Sequence, residues 1–127
     1  MQNYEILLVD DDDLINLVHQ KMIRKYWPSI RLEVFTSAEQ CVHYIADKQG
    51  IRFVLFVDIR MPQKNGWELL QDLRQRGLTE GLSVYIVSSS LDPGDIARTR
   101  EDRLVIDFLN KPLTGEILLG IKASFLD

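Results

Sequence analysis

Five short apolar runs alternate with five stretches of helical periodicity along this chain. The first run, Glu5 to Val9, carries Ile6, Leu7, Leu8 and Val9 without alternation, as expected of a strand covered on both faces. Arg31 to Phe35 alternates loosely and reads as a second strand. Phe53-Val54-Leu55-Phe56-Val57 is the most strongly apolar run, rich in β-branched and aromatic residues, and it stops on Asp58. Pro62 then bars continuation of the strand. Leu82 to Val87 and Leu104 to Leu109, the latter interrupted by Asp107, complete the set.

The stretches between follow a helical period. Leu14, Val18 and Met22 recur at i, i+4 and i+8 with Ile15 beside them, which predicts a first helix with that face inward. Asp12 or Asp13 would cap its start, and Pro28 ends it. Ser37-x-x-Gln40 is a capping box, after which Ala38, Cys41, Val42 and Ile45 share one face and Gly50 closes the helix. A third helix starts at Gly66, with Leu69, Leu70 and Leu73 inward and Gly77 as its C-cap. Asp92-Pro93 pairs an N-cap with proline at the first helical position, but the helix to Glu101 holds only Ile96 and Ala97 as apolar residues and should pack shallowly. Thr114 caps a last helix whose Ile117, Leu118, Ile121 and Phe125 face inward.

Such alternation means an α/β domain: a parallel sheet with right-handed crossovers and helices on both faces. In the strand order 2-1-3-4-5, strands one and three meet at the topological switch point, so Val9 and Val57 would end side by side. The residues following each strand then collect at one sheet edge: Asp10 and Asp11, Asp58, Ser88 and Lys111. Closely packed carboxylates repel one another, and a hard divalent cation relieves that repulsion. An Asp carboxylate can act as nucleophile toward phosphorus, with a lysine neutralising phosphoryl oxygens and a hydroxyl donating to one of them.

The bulk numbers narrow the alternatives. A length of 127 residues is enough for one ordinary domain with a real core. A net charge of −4 argues against a nucleic-acid-binding surface. Cys41, the one cysteine, cannot form an internal disulfide, and no zinc-site spacing is present. No apolar run approaches the ~20 residues of a membrane span, and the start of the chain lacks a signal-peptide pattern.

Four motifs now stand in order: Leu7-Leu8-Val9-Asp10-Asp11, Val57-Asp58-Ile59-Arg60-Met61-Pro62 with Gly66 downstream, Val87-Ser88-Ser89, and Phe108-Leu109-Asn110-Lys111-Pro112. Together they resemble the response-regulator receiver domains of two-component signalling, the CheY-like family, over essentially the whole chain. The resemblance implies a flavodoxin-like fold, a single receiver domain over 1–127 without an output domain, and a cytoplasmic setting. It implies that Asp58 accepts a phosphoryl group from a histidine kinase or a histidine phosphotransfer protein. It implies Mg²⁺ held by Asp58 and Asp11 with the Arg60 backbone carbonyl, Asp10 acting through water. Ser88 and Lys111 would contact the phosphoryl group, Ser88 and Phe108 would act as switch residues, and Arg60 and Ser90 would set phosphoryl lifetime. The family commonly has a cis peptide before the proline of its lysine-proline pair, here Lys111-Pro112. The surface of the fourth helix, fifth strand and fifth helix would change on phosphorylation, engage a downstream protein and pair two copies. The chain would then be a phosphoacceptor rather than an enzyme, beyond self-catalysed phosphotransfer and autodephosphorylation. Two departures are plain: Ser88 stands where Thr is also common, and Phe108, where Tyr is frequent, offers no phenol hydroxyl.

Two other readings compete. A phosphorylation-independent pseudo-receiver is disfavoured by the complete acidic, hydroxyl and lysine set. A haloacid-dehalogenase-like phosphatase would use Asp10-x-Asp12 after the first strand, but no cap domain or larger substrate pocket is evident. Of the remaining residues, His19 and His43 lie on predicted helices without ligand spacing and are expected at the surface. Cys41 is expected in the core, and Trp27 and Trp67 partly buried at helix ends. Arg98 to Arg103 reads as a solvated face.

Overall fold

A computed structural model describes residues 4–48 and 50–125. The elements follow the predicted alternation: β1 (Tyr4–Val9), α1 (Asp13–Tyr26), β2 (Arg31–Phe35), α2 (Ala38–Asp47), β3 (Arg52–Val57), α3 (Gly66–Gln75), β4 (Leu82–Ser88), α4 (Pro93–Glu101), β5 (Val105–Asn110) and α5 (Gly115–Phe125). The five strands form one parallel sheet in the order β2-β1-β3-β4-β5. Val9 pairs with Val57, which sets the ends of β1 and β3 side by side.

The unbroken apolar runs have a direct cause. Side chains alternate across a strand. Leu7, Val9, Phe53, Leu55 and Val57 therefore join α2 and α3 in one core. Ile6, Leu8, Val54 and Phe56 join α1 and α5 on the other face. With both faces covered, every position along β1 and β3 beyond the first is buried. Each large apolar side chain so enclosed contributes about 1.5–3 kcal/mol.

Helix starts are fixed locally. Asp12 Oδ1 accepts from the N–H groups of Leu14 and Ile15 at 2.9 and 3.3 Å. Asn65 and Glu68 form a reciprocal capping box at α3, both bonds 2.9 Å. Asp92 caps α4 ahead of Pro93, and the Thr114 hydroxyl accepts from the Ile117 N–H at 3.2 Å. Ser37 accepts from the Gln40 N–H as expected, but the Gln40 side chain accepts from Thr36 rather than from Ser37. Gly50 and Gly77 take the positive φ that lets the chain leave α2 and α3. No helix among the described residues is long and apolar enough to cross a membrane.

Several expectations need correction. The buried residues of α1 are Asn16, His19 and Ile23, whereas Leu14 is 69% exposed. The helix is thus rotated from its most apolar face, because its first turns pack against polar strand ends rather than the oily core. His19 is accordingly buried, not at the surface; His43 is exposed. Trp27 and Trp67 are almost fully buried rather than partly. The fifth strand starts at Val105, not Leu104, and bulges rather than breaks. Val84 pairs with Val105 but Tyr85 with Asp107, so Ile106 is the extra residue and is 55% exposed. In α4 only Thr99 is buried, as the sparse apolar content foretold.

Candidate functional site

The carboxyl ends of β1, β3, β4 and β5 deliver the polar residues, and backbone bonds fix them there. The Asp58 N–H donates to the Val9 carbonyl at 2.9 Å, and the Asp10 N–H to the Phe35 carbonyl at 3.1 Å. The Lys111 N–H donates to the Ser88 carbonyl at 2.9 Å. The Lys111-Pro112 peptide bond is cis. After Asp58 the chain turns back at once: the Gly66 N–H donates to the Ile59 carbonyl at 3.0 Å. A Cβ at Gly66 would lie 2.7 Å from the Asp58 carbonyl oxygen, so glycine is what lets α3 start against the strand end.

Three carboxylates converge. One oxygen each from Asp10, Asp11 and Asp58 can be chosen so that all lie within 4.8 Å of one another. Asp10 and Asp58 are buried, and Asp11 is exposed. Lys111 Nζ lies 2.6 Å from Asp10 Oδ2 and 3.5 Å from Asp58 Oδ1. Hard oxygen donors of this kind suit a divalent cation that keeps part of its water shell. Asp12 belongs to the helix cap instead, which removes the second acid from the Asp10-x-Asp12 spacing of the phosphatase reading.

The charges perturb one another. Burial and the neighbouring Asp10 charge push the Asp58 carboxyl above its ordinary range, against the opposing pull of Lys111. For Lys111 burial works against the charge. Its hydrogen bond to Asp10 and the charges of Asp58 and Asp10 outweigh this and hold the ammonium above its usual range. Ser88 is buried at the rim, and its Oγ accepts from the Ser90 N–H at 3.1 Å, leaving its own O–H as a donor. Phe108 is half-buried against the α2–α3 core.

Residues 6–121 match the family described as the response regulator receiver domain. The chain belongs to that family. An uncharacterized response regulatory protein of Vibrio cholerae is 32% identical over 118 residues, which are 92% of this chain and 42% of that protein. A two-component response regulator of Cytophaga hutchinsonii superposes with a TM-score of 0.87 at 29% identity, covering 99% of this receiver and 98% of that chain. A CheY-like receiver from Methanospirillum hungatei shares the fold, with a TM-score of 0.76 at 21% identity over 97% of this chain and 94% of that one. The receiver spans less than half the length of several curated relatives it matches. Its sheet order and five helices are those of the flavodoxin-like, CheY-type fold. The family typically uses Mg²⁺, and the three-acid cluster fits that ion.

Two features escaped the sequence reading. Arg60 reaches α4: its guanidinium lies 2.8 Å from Asp95 and 3.2 Å from Asp92, while its backbone N–H donates to Asp58 Oδ1 at 3.4 Å. Asp95 also accepts from the Trp67 indole N–H at 3.1 Å, and Arg98 stacks 4.5 Å over that ring. The second feature is the pair Asn16 and His19, which face the site from α1. The one local signal was their i, i+3 spacing, which is that of a single helix face.

Proposed function

We propose that this receiver is a phosphorylation-dependent switch in which Asp58 is the phosphoacceptor. The observation that carries the reading is the convergence of Asp10, Asp11 and Asp58 with the Lys111 ammonium between two of them. A carboxylate oxygen of Asp58 attacks the phosphorus of a phosphohistidine on a kinase or phosphotransfer protein. The O–P bond forms, the P–N bond breaks, and the imidazole leaves with the electron pair. Lys111 shifts its charge from Asp10 toward the new phosphoryl oxygens, and the Ser88 O–H turns to donate to one of them. Mg²⁺, held by Asp11, Asp58 and the Arg60 carbonyl with Asp10 acting through water, would neutralise charge on the transferring group. Arg60 and Ser90 flank the phosphoryl position and would tune its lifetime.

Movement of Ser88 toward the phosphoryl group vacates space beside β5 and lets Phe108 change rotamer. The surface of α4, β5 and α5 is then altered for a downstream protein or a second copy. The reading makes the chain one receiver unit acting in the cytoplasm. The experiment is a titration with Mg²⁺ and beryllofluoride, a phosphoryl mimic, followed by amide spectra. Resonances around Asp58, Ser88 and Lys111 should shift in the wild type and stay fixed in Asp58→Asn. An unresponsive wild type, or an equal response in the variant, refutes the proposal.

A further inference from the structure

The first turns of α1 present polar side chains to the site where an apolar face of Leu14, Ile15 and Val18 was expected. Asn16 and His19 are both buried, one helical turn apart. Asn16 Nδ2 donates to the Asp10 carbonyl at 2.8 Å. His19 Nε2 accepts from the Leu113 backbone N–H at 3.1 Å. A cavity of about 10 Å³ lies between these residues and the acids, lined among others by Asp10, Asn16, His19 and Asp58.

The bond to Leu113 matters because of where it falls. Lys111 is followed by Pro112, which has no N–H, so Leu113 supplies the first backbone donor after the lysine. Before the lysine side chain, the Lys111 N–H is already tied to Ser88. The loop is therefore pinned on both sides of the ammonium, once to β4 and once to α1. An apolar side chain would fill the position at lower desolvation cost than an imidazole. Burial lowers the His19 pKa to about 4, with Asp10 opposing and Lys111 assisting, so the ring is neutral at pH 7. A neutral ring that accepts at Nε2 carries its proton on Nδ1. Only the acceptor, not a charge, is being used.

We infer that His19 is a positioning residue for phosphoryl transfer: through the Leu113 N–H it fixes the loop that aims the Lys111 ammonium at Asp10 and Asp58. This rests on the phosphoacceptor reading of Asp58. His19 touches no reacting atom and acts only by way of Lys111.

Beryllofluoride affinity with saturating Mg²⁺ is measured by amide spectra in wild type, His19→Leu, His19→Gln, Lys111→Met and the His19→Leu/Lys111→Met double variant. Losing the tether should weaken affinity about tenfold in His19→Leu. Gln offers an amide oxygen near the place of Nε2 and should recover most of that loss. With Lys111 already gone, adding His19→Leu should change affinity less than about twofold. Mg²⁺ affinity in His19→Leu should be equal to or tighter than wild type, since the ammonium's hold on Asp10 is loosened. A merely structural role would weaken both ligands together. Should His19→Leu not fold, His19→Met, apolar and lacking an oxygen or nitrogen acceptor, takes its place. The inference is overturned if the two losses add, if Gln behaves like Leu, or if His19→Leu binds as the wild type does. A wild type that binds no beryllofluoride overturns the phosphoacceptor reading as well. Normal wild-type binding with an unaffected His19→Leu overturns the positioning role alone.

Discussion

Replacing Gly66 by alanine adds one methyl group at the tightest backbone approach near the site. The new Cβ would stand 2.7 Å from the Asp58 carbonyl oxygen, 3.1 Å from Ile59 Cα and 3.3 Å from the Asp58 carbonyl carbon. All three are backbone atoms, so no side chain can rotate away. Either α3 or the end of β3 must move by several tenths of an ångström. Overpacking of this kind costs about 1–3 kcal/mol. Alanine's better helix propensity, worth at most ~1 kcal/mol in a helix interior, offsets part of that. Urea unfolding should show the loss as a lower midpoint at unchanged slope. For a domain of this size the melting temperature should fall by roughly 3–5 °C per kcal/mol. Two of the three crowded atoms belong to Asp58 itself, so beryllofluoride affinity should fall at least tenfold, on the order expected of a misplaced reacting group. Gly120→Ala is the control. It lies within α5, nothing stands within 4 Å of its Cβ, and it should be neutral or stabilise by up to ~1 kcal/mol. Wild-type midpoint and wild-type affinity in Gly66→Ala would refute the steric argument.

Three further outcomes follow from burial and charge. Asp58→Asn should be more stable than wild type at pH 7. The folded carboxyl sits above its unfolded pKa, so wild-type stability falls as pH rises through the folded value. Urea midpoints should converge below about pH 4, the unfolded range; a difference that persists there would contradict the assignment. His19 has the opposite sign, because its folded pKa of about 4 lies below the unfolded 6.5. Its stabilising share is complete above pH 6.5 and is lost on acidification toward pH 4. The slope from this one proton approaches ~1.4 kcal/mol per pH unit and should be missing in His19→Gln. Finally, burial holds the Cys41 thiol protonated far above its ordinary range. A thiol reagent at pH 8 should modify native protein only at the rate of global opening, accelerating with urea; rapid labelling without denaturant would disprove that burial.

Much of this architecture is legible from residues near in sequence. The apolar runs at Ile6–Val9 and Phe53–Val57 announce strands because both faces of each are covered. Asp92-Pro93 and Thr114 mark helix starts because capping is local chemistry. The acids, Ser88 and Lys111 gather because parallel strands all end on one side. The α1 face was misjudged for a physical reason. Periodicity ranks faces by hydrophobicity, but the sheet end beneath α1 carries Asp10, so polar Asn16 and His19 turn inward and Leu14 and Leu17 outward. The Asn65-x-x-Glu68 box is local chemistry of the same kind as the Asp92 and Thr114 caps, capping α3 immediately before Gly66. The links from Arg60 and Trp67 to Asp95 join residues about 30 positions apart, where no local pattern foretells the pairing.

The fastening of α4 has a wider consequence. Arg60 and the Trp67 indole hold its first turn through Asp92 and Asp95, and Arg74 holds Asp102 at its other end. Thr99, its buried residue, turns its hydroxyl to the Asp95 carbonyl rather than to the sheet. α2 and α3 rest on apolar seams, whereas this helix is hung largely from polar and charged hooks. Dissolved electrolyte weakens such hooks over a Debye length of roughly 8–10 Å but leaves apolar seams intact. The ionic strength of the surroundings thus acts more on the looseness of this helix than on the helices seated by apolar seams.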